Sequence, residues 1–96
     1  MTSLTEYRES IDNLDAALIA LLAERFKITK KVGLYKAQAS LPERDLAREQ
    51  TQIAKIEALS RSAGLRPEVA TSVLRVIIDH VVEEHKELKN GFFRTP

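Results

Sequence analysis

Apolar residues in the first third of the chain recur at alternating spacings of three and four, as on one face of a helix. Ser3 and Glu6 have the spacing of a capping box, and no proline follows before Pro42. This pattern predicts a helix over residues 4–38, roughly 50 Å long at ~1.5 Å per residue. Its stripe is formed by Leu4, Tyr7, Ile11, Leu14, Leu18, Leu21, Arg25, Ile28, Val32 and Tyr35.

The second predicted helix covers residues 41–63. Ser40 and Glu43 form a second capping-box pattern, and a proline is tolerated in the first helical turn. Gly64 follows as a C-terminal cap. The apolar face of this helix is predicted to comprise Leu46, Ile53, Ile56, Leu59 and Ala63.

The third predicted helix covers residues 67–89. Pro67 begins it, Asn90 and Gly91 end it, and residues 91–96 are expected to form a flexible tail. The inward positions are predicted to be Val69, Val73, Val76, Ile77, Val81 and Leu88.

These elements predict an all-α fold of one long and two shorter helices in a single domain spanning residues 1–96. The β-branched residues of the third helix have helical spacing, and their run is too long for one strand. A chain of 96 residues buries only a modest core, and a helix of roughly 50 Å exceeds what a compact domain of this size needs. We therefore expect the long helix to pack against a second copy of the chain.

The overall composition excludes several classes of function. Fifteen Lys and Arg residues nearly balance fourteen Asp and Glu residues, which argues against a nucleic-acid or membrane-surface binder that works by bulk charge. The absence of cysteine excludes disulfides and thiolate metal sites. No apolar window is long enough for a membrane span, and the polar N-terminus does not resemble a signal peptide, so we expect a cytoplasmic protein.

Arg25 is the only charged residue in the apolar stripe. A desolvated guanidinium requires a counter-charge, which is either an acidic side chain or an anionic ligand. One interpretation is a structural ion pair with Glu49 or another acid, or an aliphatic stem that extends to solvent. The other interpretation is a local anion site.

Two further cations lie close to the same helical face as Arg25. Lys36 follows it by eleven residues and Arg8 precedes it by seventeen, and each could simply be a solvated flank. Arg8 and Lys36 are roughly 42 Å apart along one helix, so one chain cannot bring all three onto a small ligand. Antiparallel pairing of two long helices would place Arg8 of one chain near Arg25 and Lys36 of the other, in two symmetric sites.

The second helix begins with both types of charge. Arg44 and Arg48 are one turn apart, as are Asp45 and Glu49. One interpretation is a solvent-facing helix stabilised by pairs of opposite charge. The alternative is a second helix folded back over the first, with Arg48 binding a carboxylate and Glu49 accepting a hydroxyl.

The two histidines of the third helix do not predict a metal site. His80 and His85 are five residues apart, whereas a shared metal favours a spacing of four. His85 shares a face with Ile78 and Val81, and could direct a donor into the groove between helices.

The combined motifs resemble the all-helical chorismate mutases over nearly the whole chain. The resemblance is carried by the segments YRESIDNLDAALIALLAER, VGLYK, RDLARE and VLRVIIDHVVEEH. It implies an intertwined homodimer of three-helix chains whose two active sites each take Arg8 from the other subunit. The implied reaction is the Claisen rearrangement of chorismate to prephenate, in phenylalanine and tyrosine biosynthesis, without a cofactor or metal.

The resemblance also implies roles for the charged residues. Arg8 of the second chain, Arg25 and Arg48 would bind the two carboxylates of chorismate, because guanidinium groups form forked hydrogen bonds. Lys36 would reach the ether oxygen and one carboxylate. The ring hydroxyl would be bound by Glu49 with Asp45 or its backbone, and the catalytic groups would be Lys36, Arg25 and His85.

His85 departs from the family pattern. The family usually has glutamine at this position as a second donor to the ether oxygen, sometimes with a small hydroxyl residue where Val81 stands. A histidine changes its charge near neutral pH, unlike glutamine. We therefore expect activity to fall as His85 deprotonates or adopts the wrong tautomer.

Three alternatives share this sequence pattern. Isochorismate pyruvate-lyase and aminodeoxychorismate mutase would use the same scaffold and the same binding residues. A non-catalytic helical dimerisation module would leave the cations merely paired or solvated.

Overall fold

The chain forms three long helices and no compact globule. A computed structural model describes residues 3–94, which contain α1 (Leu4–Gln38), α2 (Leu46–Ala63) and α3 (Pro67–Arg94) and no strand. This confirms the predicted all-α architecture. The molecule measures 64 × 27 × 15 Å, and its radius of gyration is 17.2 Å. A compact domain of this length would have a radius of gyration of about 12.5 Å.

Helix α1 begins and ends where the sequence pattern predicts. The Ser3 hydroxyl accepts the backbone N–H of Glu6 at 3.1 Å and caps the N-terminus. At the other end, the N–H of Leu41 donates to the Lys36 carbonyl at 2.8 Å, and Ser40 adopts the left-handed conformation with φ 56°. This Schellman arrangement satisfies the last carbonyls of the helix and turns the chain sharply.

Helix α2 begins at Leu46, and the predicted start at residue 41 was wrong. Ser40 ends α1 and does not cap α2. The N-cap is Asp45, whose Oδ1 accepts the backbone N–H of Arg48 at 3.0 Å. The tight turn after α1 uses Ser40, so the cap of α2 lies five residues further along the chain. Gly64, with φ 75°, ends α2 as predicted.

Helix α3 begins at Pro67 as predicted but continues to Arg94, so the predicted end at Asn90 and Gly91 was wrong. Glycine costs about 1 kcal/mol in a helix and does not by itself end one. At the predicted end of the helix, Lys89 forms an ion pair with Glu43 at 3.6 Å, which ties this part of α3 to the segment between α1 and α2. The predicted tail therefore overlaps the helix, and its last two residues, 95 and 96, lie outside the described range.

Helix α3 is the centre of the chain. Both α1 and α2 pack against it, whereas α1 and α2 do not pack against each other along their described lengths. The second helix is thus not folded directly onto the first. The buried cluster contains Leu74, Ile78 and Val82 of α3, and Ile53 and Ile56 of α2 pack on it.

The inward face of α3 therefore differs from the predicted one. Val73 and Val76 are exposed in the single chain, and the inward row is shifted by one residue. Valines and isoleucines occur all round this helix, so periodicity alone did not identify the face that packs within the chain.

Most of the apolar stripe on α1 is exposed in the single chain. Leu14 and Leu21 each retain 70% of their accessible surface, and the only buried residues of α1 in the described range are Gly33 and Ala37. Exposed apolar rows of this length indicate an interaction surface. No helix in residues 3–94 is both long enough and apolar enough to cross a membrane.

Candidate active site

A hollow of about 300 Å³ lies between α1 and α2, with α3 as its floor. This volume is at the lower end of the range for small-molecule sites. Seven of the eight predicted site residues line it, and Arg8 of the same chain does not. The seven are Arg25, Lys36, Asp45, Arg48, Glu49, Val81 and His85.

Two guanidinium groups in the hollow have no acidic partner. Within residues 3–94, neither Arg25 nor Arg48 forms an ion pair, and Nη1 of Arg25 is buried without a hydrogen-bond partner. The structural ion pair between Arg25 and Glu49 is therefore absent. A buried, unpaired guanidinium N–H carries a desolvation cost that a bound anion would remove.

Glu49 is held by arginines from outside the predicted set. It is only 6% exposed, and its Oε1 accepts from Nη1 of Arg75 on α3 at 3.0 Å. Nε of Arg44 lies 3.1 Å from Oε2 of Glu49 but outside hydrogen-bonding angles, so Oε2 retains acceptor capacity. Arg44 also pairs with Asp79 at 3.0 Å. Two cations thus lie beside a buried carboxylate at the edge of the hollow.

The segment between α1 and α2 supplies two more acids to the rim. Asp45 lines the hollow and uses one oxygen to cap α2. Its neighbour Glu43 also lines the hollow, and a hydrogen bond from its own backbone N–H, followed by the charge of Lys89, lowers the pKa of its carboxyl. The lowered pKa of Glu43 favours its charged form beside the hollow.

Lys36 is positioned by the end of α1. Its backbone carbonyl accepts the N–H of Leu41, while its ammonium lies 3.3 Å from the carbonyl oxygen of Glu43. The same ammonium lies 3.5 Å from Nδ1 of His85. The Lys36 ammonium is thus oriented both by the segment after α1, through Glu43, and by the floor of the hollow, through His85.

His85 is buried, with 3% of its surface exposed. Its Nε2 lies 2.8 Å from the backbone carbonyl oxygen of Thr29 on α1. The ring packs on Gly33, where an added Cβ would lie 2.6 Å from Cδ2 of His85 and 2.8 Å from Cδ1 of Leu88. Gly33 is therefore a position where α1 and α3 approach closely.

Several neighbours of the predicted residues could not be found from sequence spacing. Arg75 and the Thr29 carbonyl are brought to the site by the pairing of α3 with the other two helices. No local motif marks Arg75, because its partner is 26 residues away in sequence. Arg44, in contrast, lies within the RDLARE segment, although its contact with Glu49 was not predicted.

Comparison with known proteins identifies the family of this chain. A family model described as chorismate mutase type II matches residues 7–86, which is most of the chain. The chain belongs to the type II chorismate mutase family. The resemblance inferred from the sequence motifs is confirmed.

Individual relatives agree with the type II chorismate mutase assignment. A bifunctional chorismate mutase/prephenate dehydratase of Buchnera aphidicola is 31% identical over 90 residues, covering 94% of this chain and 23% of the relative. The bifunctional protein of the same name from Escherichia coli is 34% identical over 79 residues, covering 82% and 20%. The chain thus spans less than a quarter of these bifunctional relatives. A chorismate mutase of Methanocaldococcus jannaschii is 29% identical over 77 residues, covering 80% and 78%.

Proposed function

We propose that this chain is a chorismate mutase, which rearranges chorismate to prephenate. The observation that carries the proposal is the group of cations in one hollow, with an unpaired buried guanidinium N–H on Arg25. Chorismate carries two carboxylates, an ether oxygen and a ring hydroxyl. Together with a partner residue, the hollow contains a group of suitable chemistry for each of them.

The substrate carboxylates would bind to the arginines. The guanidinium groups of Arg25 and Arg48 are permanently charged, and their planar geometry suits forked hydrogen bonds to a carboxylate. Lys36 would donate to the ether oxygen and to one carboxylate. Oε2 of Glu49 would accept a hydrogen bond from the ring hydroxyl, and Asp45 or its backbone would lie near the same hydroxyl.

The reaction requires no nucleophile or general base. It breaks an ether carbon–oxygen bond and forms a carbon–carbon bond within one molecule, so all atoms of the substrate remain in the product. The protein accelerates it by holding the folded conformer and by stabilising negative charge on the ether oxygen. Fixed cations supply both effects, because they are oriented before the charge develops.

A second copy of the chain would complete each site. The exposed stripe on α1 and the extended shape indicate that the single chain lacks a partner for this surface. A further apolar hollow of about 590 Å³ reaches from Leu18 of α1 to Leu59 of α2 and Val73 of α3. The homodimer that we propose covers these surfaces with the α1 helix of the partner. Antiparallel pairing of the α1 helices would place Arg8 at the hollow of the other chain.

The test is an assay of the purified chain with chorismate, isochorismate and the amino analogue in separate reactions, with the products identified by NMR. We expect prephenate, whereas pyruvate from isochorismate or turnover only of the amino analogue would indicate a related enzyme. Lys36→Ala and Arg25→Ala should each lower kcat/KM by at least about 100-fold. Arg61→Ala is the control, because Arg61 is an exposed cation on α2 and lies outside the hollow.

A ligand-binding test separates the enzyme from a non-catalytic dimerisation module. A dicarboxylate that resembles the transition state should raise the Tm of the wild-type chain by mass action, and should do so less in Arg25→Ala. No conversion of chorismate and no shift in Tm at millimolar ligand would contradict the proposal.

A further inference from the structure

The two contacts of His85 determine which ring nitrogen carries a proton. A backbone carbonyl can only accept, so Nε2 must donate to the oxygen of Thr29 at 2.8 Å. A lysine ammonium can only donate, so Nδ1 must accept from Lys36 at 3.5 Å. Both contacts are satisfied only by the neutral imidazole with its proton on Nε2.

Gly33 makes this arrangement of the ring possible. Gly33 is buried on the face of α1 that packs against His85. In the helix, the N–H of Gly33 is directed to the carbonyl of Thr29, four residues earlier. A Cβ at this position would lie 3.1 Å from Nε2 and 2.6 Å from Cδ2 of His85. Any side chain at position 33 would therefore push the imidazole away from that carbonyl.

We propose that His85 is a positioning residue whose neutral ring accepts a hydrogen bond from the Lys36 ammonium and so orients it. Gly33 and the Thr29 carbonyl hold the His85 ring in the required position. The inference rests on the proposed chorismate mutase function, in which Lys36 contacts the substrate. It differs from a direct donor role, because Nε2 is occupied by a backbone carbonyl and Nδ1 has no proton to give.

Charged groups from all three helices and from the connecting segment lie around the ring. From α1, Lys36 and Arg25 share the hollow with His85, and from α2 Arg48 does so as well. The acids from the connecting segment and α2 are Glu43, Asp45 and Glu49. Glu43 is paired with Lys89, and Glu49 with two arginines, so their charges are largely compensated. On α3 itself, the neighbouring Glu84 has a buried Oε1 without a hydrogen-bond partner within residues 3–94.

Protonation of His85 would have a defined consequence. A proton on Nδ1 would remove the acceptor of Lys36 and place a second positive charge 3.5 Å from its ammonium. Activity should therefore fall as the pH decreases and His85 becomes charged. This sign is opposite to the expectation from the sequence, in which the charged histidine was the active donor.

The first experiment examines the tautomer without substrate. Long-range ¹H–¹⁵N spectra of the labelled, ligand-free chain at neutral pH should show His85 as neutral imidazole protonated at Nε2. His85→Gln and His80→Gln assign the two histidine signals, and His80 is an exposed control on the same helix. A signal from the Nδ1–H tautomer, or from the doubly protonated ring, would overturn the proposal even if the chain proved inactive.

The second experiment measures kcat/KM against pH, which reports on the free enzyme. In the wild type and in His80→Gln, we expect a decrease on the acid side. His85→Gln should lack this decrease and retain kcat/KM within about tenfold at pH 8, because an amide can donate to Thr29 and accept from Lys36. His85→Leu should lose at least about tenfold at pH 8, because it offers Lys36 no acceptor.

Two kinetic outcomes contradict the role of His85. Persistence of the same acid-side decrease in His85→Gln would show that another group causes it. A wild-type rate that rises on acidification and is lost in His85→Gln would show direct donation to the substrate. Absence of any chorismate conversion by the wild type would refute the proposed function, whereas the NMR experiment would still test the His85 contacts.

Discussion

At the residue scale, the site depends on how each charge is compensated. Among the described residues Arg25 and Arg48 have no acidic partner, whereas the buried Glu49 has Arg44 and Arg75 beside it. Charges that are compensated inside the protein hold the shape of the hollow, and uncompensated ones remain for an anionic ligand. Arginines at one site therefore have two different roles, one structural and one for ligand binding.

Arg75→Met should destabilise the fold by about 1–3 kcal/mol, because it leaves a buried carboxylate oxygen of Glu49 without its donor. Chemical denaturation at neutral pH measures this difference. Arg61→Met is the matched control, since its contact with Glu57 is 3.9 Å long and exposed, and it should change stability by less than about 0.5 kcal/mol.

The double variant Arg75→Met/Glu49→Gln tests how much of the lost stability comes from the uncompensated charge of Glu49. Replacing the carboxylate by an amide removes the uncompensated charge, so Glu49→Gln should cost less stability in the Arg75→Met background than in the wild type. Equal costs in both backgrounds would contradict an energetic coupling between the two residues.

At the element scale, helix ends place the functional groups. Helix α1 ends at Gln38, two residues after Lys36, and Asp45 caps α2 three residues before Arg48. The capping contacts therefore also fix the orientation of the residues that face the hollow. Sequence motifs predicted both helices but assigned Ser40 to the wrong helix end.

Backbone strain at the helix ends can be measured with a pair of substitutions. Ser40→Gly should stabilise the chain by about 0.5–1 kcal/mol, because glycine adopts a positive φ without the Cβ clash that serine has there. Gly64→Ala should destabilise it by about 1 kcal/mol, because alanine is strained at a φ of 75°. No atom lies within 4 Å of the new Cβ, so the effect comes from the backbone strain and not from a clash. Urea midpoints with unchanged slopes would measure both effects, and equal signs would contradict the explanation.

The stability contributed by the ion pair between Glu43 of the connecting segment and Lys89 of α3 should depend on pH. The pKa of Glu43 is lowered by its own backbone N–H and by Lys89, so its stabilising contribution is complete above the pKa of the unfolded chain. That contribution is lost as the pH falls through the lower pKa of the folded state. The Tm difference between wild type and Glu43→Gln should therefore be largest at neutral pH and disappear in strong acid. A difference that grows on acidification would contradict the assigned shift.

At the scale of the whole molecule, the chain has more apolar surface than its own core can cover. Only Ala37, Leu74, Ile78 and Val82 are buried apolar side chains among those described, while the row on α1 remains exposed. A long helix cannot fold back on itself, so we propose that a second copy of the chain covers this row. This is the physical reason to propose that the active site is shared between two subunits.

A mixture of two inactive variants tests the shared site. Arg8→Ala and Arg25→Ala should each be nearly inactive, yet refolding them together should restore about a quarter of wild-type activity. In a random mixture half of the dimers are mixed, and one of their two sites has both arginines intact. Measured kcat on the refolded mixture decides this, with each variant refolded alone as the control. No recovery, despite mixed dimers detected by mass spectrometry, would contradict a contribution of Arg8 across the interface.

The sequence by itself determined the number of helices, most of their ends and most of the charged residues in the hollow. Periodicity and capping act over a few residues, so they are visible without a structure. The family motifs also depend on local spacing and predicted seven residues that the fold brings together.

Only the tertiary structure decided which charges are compensated and which face of α3 is buried. Arg75 meets Glu49 across 26 residues of sequence, and His85 meets the Thr29 carbonyl across 56. Such contacts depend on the register in which helices pack, and that register follows from complementary shapes, such as the imidazole against Gly33. No property of either helix alone contains this information, because it arises only when their surfaces meet.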